Sequence, residues 1–474
     1  MSHSGETGIR TPDTGLTPYN GLANRRLQPL GHLSIGLVSY KAPPGESNPR
    51  LATSGELLRL PGVSDTASGP AAMPITLDAI RAARQRIRDV IYHSPCPYSL
   101  QLSRVCGCEV YCKLDHLQIT GSFKERGARN KLLQLTPDER RRGVIAASAG
   151  NHALALAYHG GDLGVAVTVV MPKWAPLIKV TNCRGFRANV IVHGDSFDEA
   201  KAHARKLMEE QRLVYVHGFD DPDIIAGQGT MGLEILEDVP DVDAVIVPVG
   251  GGGLIAGVGA AVKALRPQVR IIGVEPDHAP TLRASLQANR VVRIETKPTL
   301  ADGLAIAEVG KLCFEIAREV VDDLVMVDEA QIAMSILRLL ELEKTVVEGA
   351  ASVPLAAAMR RSLGLEGKKV VLCLCGGNID VTVISKVIER GLAADGRLCR
   401  VVAQMSDRPG SLARLAGVLA ATGASVKEVY HDRNFGPADV GSVAIACVLE
   451  TRDFTHIDQI KAALAEAGIR FNLT

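Results

Sequence analysis

The sequence predicts an α/β protein with mostly parallel sheets, followed by a smaller ferredoxin-like unit. Three observations carry this. From Met73 to about Gly391, short β-branched or apolar runs alternate with loops and helix-period segments, the pattern of strands covered by helices on both faces. Small-residue loops follow several of those runs, at the carboxyl ends of strands, where open parallel sheets hold their ligands. After Asp395-Gly396-Arg397 the order becomes strand, helix, strand, strand, helix, strand.

Length and composition set the frame. At 474 residues, 46% hydrophobic and 22% charged, the chain can build two or three domains with real cores. Its 53 Lys+Arg against 52 Asp+Glu leave a net charge of +1, so the overall balance points to neither nucleic acid nor an anionic membrane as partner. No apolar run is long enough for a bilayer span. Ten scattered cysteines suggest free thiols in a reducing compartment, hence a cytoplasmic protein.

Taken in order, residues 1–72 hold eight Pro and ten Gly with almost no periodicity, so we expect them to be disordered, with Met73 a candidate true start. A helix is expected from Leu77 to Tyr92. Cys106, Cys108 and Cys112 are expected along a strand, and no Cys/His pair follows at zinc-site distance. Further strands are expected at Val144–Ala147, Val165–Met171, Asn189–His193, Val214–His217, Ala244–Pro248, Arg270–Glu275 and Val370–Leu374.

The chemistry centres on Thr120-Gly121-Ser122-Phe123-Lys124-Glu125-Arg126-Gly127-Ala128, at the mouth of an expected helix. A lysine withdrawn from water there sheds its proton more easily and can act as a Schiff-base amine; the alternative is a solvated surface charge. Ser148-Ala149-Gly150-Asn151-His152 could hold a carboxylate on backbone N–H groups at a helix start, or be an ordinary turn with an Asn cap. Gly250-Gly251-Gly252-Gly253-Leu254 allows several N–H groups to converge on a phosphate. It matches neither GxxxxGKS/T nor GxGxxG strictly, which weakens a nucleotide reading. Cys373-Leu374-Cys375-Gly376-Gly377-Asn378 is another strand running into a Gly-Gly turn, with Cys375 at the turn.

SFKERG, SAGNHA, GGGGL and CGGN in this order resemble the pyridoxal-phosphate enzymes of the tryptophan-synthase-β type (fold type II), and within them the threonine/serine dehydratase branch. The resemblance covers residues 73–474 and implies a two-lobed catalytic domain at 73–394, with a smaller lobe at about 116–225. It implies that Lys124 bonds pyridoxal 5'-phosphate, Asn151 meets the ring oxygen, and Gly250–Gly253 with Leu254 cradle the phosphate. Cys375 would contact the pyridine nitrogen where the family usually has Ser; a thiol is a weaker donor than a hydroxyl, and neither group protonates the ring, so the resemblance implies a moderated electron sink. Residues 148–152 would hold the substrate carboxylate.

The implied reaction turns L-threonine into 2-oxobutanoate and ammonia, with L-serine as secondary substrate. Other hydroxyamino-acid lyases or racemases, and an amino-acid sensor, are the alternatives. Serine racemases of the family carry Ser at Ala149, so racemisation is expected to be slow. They also show a cation site beginning at the Glu matching Glu275, but its closing Asp is Thr281 here, so no metal is assigned. Glu348 lies near the ring in the family; otherwise it is a helix-terminus acid.

The last unit, 399–474, is expected as strands Cys399–Met405, Ser425–Asp432, Ser442–Leu449 and Ile469–Leu473 with helices Ser411–Thr422 and Phe454–Ala467. Asp407-Arg408-Pro409-Gly410 resembles the signature of the ACT domain, implying feedback by a small amino acid or dimerisation alone. A homodimer or homotetramer is expected.

Overall fold

The computed structural model describes residues 57–59, 74–433 and 441–473. A seven-stranded sheet forms the larger core. From edge to edge it runs Leu58–Arg59, Asp323–Val327, Arg270–Pro276, Ala244–Pro248, Lys369–Cys373, Glu109–Lys113 and Tyr98–Ser99. All neighbouring pairs are parallel except those of the two short edge strands. The central strand Ala244–Pro248 is buried at every position, as expected of a parallel strand covered on both faces.

A four-stranded parallel sheet is ordered Asn189–Val192, Val167–Met171, Val144–Ala147, Val214–Tyr215. The two-residue period of its strands sorts side chains into two layers. Val144, Ala146, Val169 and Met171 join the helices Lys124–Leu133 and Asn151–Leu163, while Ile145 and Val170 meet Ala200 and Ala204 of the helix Phe197–Gln211.

The helix Pro222–Asp238 begins with Asp221 as its cap, accepting from Asp223 N (2.8 Å) and Ile224 N (3.2 Å), and with Pro at its first position. It crosses the helix Lys124–Leu133 backbone to backbone: a Cβ on Gly227 would lie 2.6 Å from the Arg126 carbonyl oxygen. That crossing fixes the height at which Lys124 leaves its helix.

The C-terminal residues form βαββαβ: Leu398–Ser406, Ser411–Ala421, Ser425–Asp432, Ser442–Glu450, Phe454–Glu466 and Arg470–Leu473. The strands make one antiparallel sheet with the last strand beside the first, the ferredoxin-like arrangement, over a core of its own.

Several expectations are corrected. The first helix ends at Ile87, where the chain turns and the N–H groups of Val90 and Ile91 bond to the Ile87 carbonyl. Strands begin at Val167, not Val165, and end at Tyr215, not His217. Cys106, Cys108 and Cys112 do not share a strand: Cys106 ends the helix Leu100–Cys106, Gly107 closes it in the left-handed conformation, and only Cys112 is in a strand. Leu58 and Arg59, expected to be disordered, pair with Leu324 and Asp323. Their partner strand, Asp323–Val327, was not expected. Residues 1–56 and 60–72, and Met73, lie outside the described residues.

Candidate active site

Lys124 is the first residue of its helix, entered through Gly121 at φ +75°. The turn before it is stitched to the strand end at 375–378. Phe123 N donates to Cys375 O (3.1 Å), Gly377 N to Gly121 O (2.9 Å) and Asn378 Nδ2 to Thr120 O (2.7 Å). Lys124 Nζ donates to Gly218 O at 2.6 Å and stands 5.1 Å from the Phe123 ring centre. Burial pushes the ammonium down to about 8, with Cys313, Cys375 and Glu348 pulling weakly the other way. A lysine in this state is an amine for a useful fraction of the time near neutrality.

Asn151 opens the helix after the strand Val144–Ala147, and its amide is held at both ends. Nδ2 donates to Glu348 Oε1 (2.8 Å), and Oδ1 accepts from Asn378 Nδ2 (2.9 Å). Glu348 is 9% exposed, and burial raises its carboxyl to about 7, with Asp302 adding to the rise. Of the loop's backbone donors, Ser148 N bonds to Val170 O (3.2 Å) in continuation of the sheet, and Gly150 N bonds to Ser148 Oγ (3.3 Å). Those of Ala149, Asn151 and His152 meet no acceptor among the described residues. The His152 ring is turned inward, Nε2 lying 3.1 Å from Val216 O, and burial lowers it to about 3. It offers the site its backbone, not its imidazole.

On the other flank, Gly250–Leu254 lead from the strand Ala244–Pro248 into the first two residues of the helix Gly253–Leu265. Gly252 has φ +93°, and a Cβ there would lie 2.8 Å from Cys313 Cβ, so only glycine suits both demands. Among the described residues no acceptor meets the N–H of Gly250, Gly251, Gly252, Gly253 or Leu254. A left-handed residue leading into a helix start with consecutive free donors is an anion nest.

Cys375, two residues past the strand Lys369–Cys373, is 4% exposed, and burial raises its thiol well above the ordinary range. Ser122, fully buried two residues before Lys124, has a hydroxyl without a partner. An unpaired buried hydroxyl, a lysine amine poised near 8 and a nest of free donors fit a phosphorylated aldehyde of the pyridoxal type.

The remaining candidates lie elsewhere. Glu275 accepts from Leu282 N (2.6 Å) and Arg283 N (3.0 Å) at the start of the helix Thr281–Gln287, and burial raises it to about 8. The Thr281 hydroxyl donates to the Ile306 carbonyl. Asp407, Arg408, Pro409 and Gly410 line a cavity of about 320 Å³ together with His431 and Arg433, and Arg433 pairs with Asp407 at 3.1 Å.

Sequence reasoning missed the turn Gly218-Phe219-Asp220, Cys313, and the role of Asn378. Asn378 stood in a motif already singled out, but the others carry no local signature. His-Gly-Phe-Asp-Asp-Pro is a turn with a helix start, nothing more, until its partners are seen.

Residues 87–376 match the family of pyridoxal-phosphate dependent enzymes. The chain is 46% identical over 394 residues to an L-threonine ammonia-lyase of Thermotoga maritima, covering 83% of this chain and 98% of that one. It is 43% identical over 396 residues to another from Geobacter sulfurreducens, covering 84% and 98%. Among solved structures it is similar to the processed threonine deaminase isoform 2 of Solanum lycopersicum, at 35% identity and a TM-score of 0.66, covering 71% and 97%. A maize serine racemase gives 32% and 0.64, covering 67% and 98%. The chain belongs to the pyridoxal-phosphate dependent enzymes of α/β fold, with pyridoxal phosphate as its cofactor.

Proposed function

We propose that the protein is an L-threonine ammonia-lyase, converting L-threonine to 2-oxobutanoate and ammonia, with L-serine as a secondary substrate. The observation that carries this is a half-buried lysine amine flanked by two sets of free backbone donors, in a chain whose relatives across most of its length are named for that reaction.

When bound, pyridoxal phosphate supplies the electron sink that makes an amino acid's Cα–H acidic and lets a β-substituent leave. We assign its hold to Lys124, Asn151, Gly250–Leu254 and Cys375. The free N–H groups of Ala149, Asn151 and His152 bind the substrate carboxylate and orient the Cα–H towards Lys124. Lys124, as the amine, removes that proton at Nζ. With an ammonium near 8, roughly a quarter is amine at pH 7.5, against about one part in a thousand for an ordinary lysine. Glu348 and Asn378 keep the Asn151 amide in one orientation. Ala149 has no proton to give on the opposite face, which favours elimination over racemisation.

The test is purified protein with L-threonine, followed by 2-oxo acid release and by kcat/KM for threonine against serine. A cofactor-loaded protein that releases no 2-oxo acid overturns the reading. We further propose that 73–394 is the catalytic domain, with its smaller lobe at about 116–225, and that 399–474 is a regulatory unit. An amino acid would bind at Asp407–Gly410 in a homo-oligomer. The cavity there and the separate C-terminal core support this. Truncation after Gly391 that leaves isoleucine and valine sensitivity unchanged refutes it. No helix among the described residues is long and apolar enough to cross a membrane. The free cysteines favour a cytoplasmic setting.

A further inference from the structure

We propose that Asp220 is a positioning residue of this reaction: by capping the helix Lys311–Val320 it fixes the turn whose Gly218 carbonyl holds the amine of Lys124. This rests on the function proposed above.

Asp220 is 91 to 93 residues away in sequence from the helix it caps. Oδ2 accepts from Lys311 N (3.1 Å), and Oδ1 accepts from Leu312 N (3.0 Å) and Cys313 N (3.2 Å). A carboxylate on three first-turn donors also meets the positive end of the helix dipole, a stronger anchor than a neutral cap. Gly310 leaves the room: a Cβ there would lie 2.3 Å from Asp220 Oδ1.

The same turn touches the rest of the site. Gly310 N donates to Gly251 O (3.1 Å), tying the capped helix to the phosphate nest. Cys313 Sγ donates to Phe219 O (3.4 Å), and a Cβ on Gly251 would lie 2.4 Å from the Phe219 ring. His217 Nδ1 accepts from Asp220 N (2.9 Å), and burial lowers that imidazole to about 4, so it stays a neutral acceptor. A lysine that alternates between holding a cofactor and moving a proton needs a fixed acceptor when free, and Gly218 O is that acceptor here. The titratable groups around Lys124 are Cys313 from the capped helix, Cys375 and Glu348 from the strand end and helix cap stitched to its turn, His152 from the helix Asn151–Leu163, and His217 from the loop after Val214–Tyr215.

The test compares Asp220→Ala and Asp220→Asn in the loaded full chain. For Asp220→Ala we expect kcat with threonine to fall roughly 10- to 100-fold, KM to stay within about twofold, and the isotope effect with 2-deuterothreonine to rise. Asp220→Asn, whose carbonyl oxygen retains the Leu312 and Cys313 donors, recovers most of this. A second readout is acetylation of Lys124 against pH in the full chain freed of cofactor, followed by mass spectrometry. Its midpoint rises from about 8 in Asp220→Ala as water reaches the amine. Gly310→Ala, which displaces the carboxylate, carries the test should Asp220→Ala not fold, with the same changes expected. Wild-type isotope effect and labelling midpoint in the folded variant overturn the proposal, as does Asp220→Asn behaving like Asp220→Ala. A wild type inactive on threonine sinks the lyase reading instead, and the labelling arm still judges the turn.

Discussion

Removing the Arg126 guanidinium is the most demanding test of how this molecule holds its lysine. Arg126 is 0% exposed and sits two residues after Lys124 on the same helix. Nε and Nη2 each donate to Asp115 at 2.7 Å, while Nη1 and Nη2 donate to Glu234 at 2.6 and 2.8 Å, and Nη1 lies 3.0 Å from Thr230 Oγ1. In Arg126→Met, Asp115 keeps only Ser94 Oγ (2.6 Å) and the longer Gln118 contact (3.3 Å), and Glu234 keeps Lys113 Nζ (2.8 Å). Two buried carboxylates losing their shared cation should cost about 3–5 kcal/mol. At roughly 2–4 °C per kcal/mol for a large domain, Tm falls by about 6–20 °C.

The pH dependence supplies a sign. In the wild type, burial raises the Asp115 carboxyl but Arg126 outweighs it, holding the group below the usual carboxylate range. Its stabilising contribution is therefore present above the unfolded value and lost as pH falls through the folded one. Without Arg126 the same carboxyl is raised by burial, so lowering the pH from 8 to 5 neutralises it and narrows the gap to wild type. Calorimetry of both proteins across that range measures this. Adding Asp115→Asn and Glu234→Gln to Arg126→Met should recover much of the loss. A single variant costing under about 1 kcal/mol, or a gap that widens towards pH 5, refutes the reasoning.

Other outcomes follow from the same geometry. Because burial holds the freed Lys124 near 8 and the amine is the active form, kcat for threonine, which reports the substrate-bound enzyme, should climb close to tenfold per pH unit below about 7 and level above about 8.5; a flat profile would tell against Lys124 as base. Gly252→Ala, forced into φ +93° and 2.8 Å from Cys313 Cβ, should weaken pyridoxal-phosphate binding more than about tenfold in a cofactor titration. Glu348→Gln, which keeps an oxygen for Asn151 Nδ2, should leave kcat within about threefold, whereas Glu348→Ala should lose roughly tenfold in steady-state assays. Glu275 is raised to about 8 by burial, so the folded state holds its proton where the unfolded state does not, and stability falls as pH rises from about 4.5 to 8. Thermal melts of Glu275→Gln should show a flatter pH slope over that window.

The features legible in the sequence were those with a local cause. Glycine runs announce a backbone that must approach something closely, so Gly250–Gly253 stood out before any fold was known. Two-residue and 3.6-residue periods placed most strands but not Leu58–Arg59, Tyr98–Ser99 or Asp323–Val327, and the C-terminal unit came out within a residue or two: Cys399–Met405 was expected and Leu398–Ser406 is observed. Strand ends were less legible, since Val216 and His217 have strand-like chemistry but turn inward to hold His152 and Asp220. Asp323–Val327 has no sequence signal of its own because Asp322-Asp323 interrupt the apolar run at its start, and paired aspartates read as a turn.

The amino-acid order by itself determined the chemistry: an amine among small residues, two donor-rich loops, and a cysteine at a strand end. It also determined the alternation that builds parallel sheets. Only the tertiary structure decided what holds these parts still. Asn151 meets Glu348 across 197 residues, Asp220 caps a helix 91 residues on, and Arg126 stands between carboxylates 11 positions before it and 108 after. The reason is physical: periodicity and backbone freedom are properties of neighbours along the chain, whereas a buried charge or amide is satisfied by whichever distant group the packing of sheets and helices brings within hydrogen-bond reach.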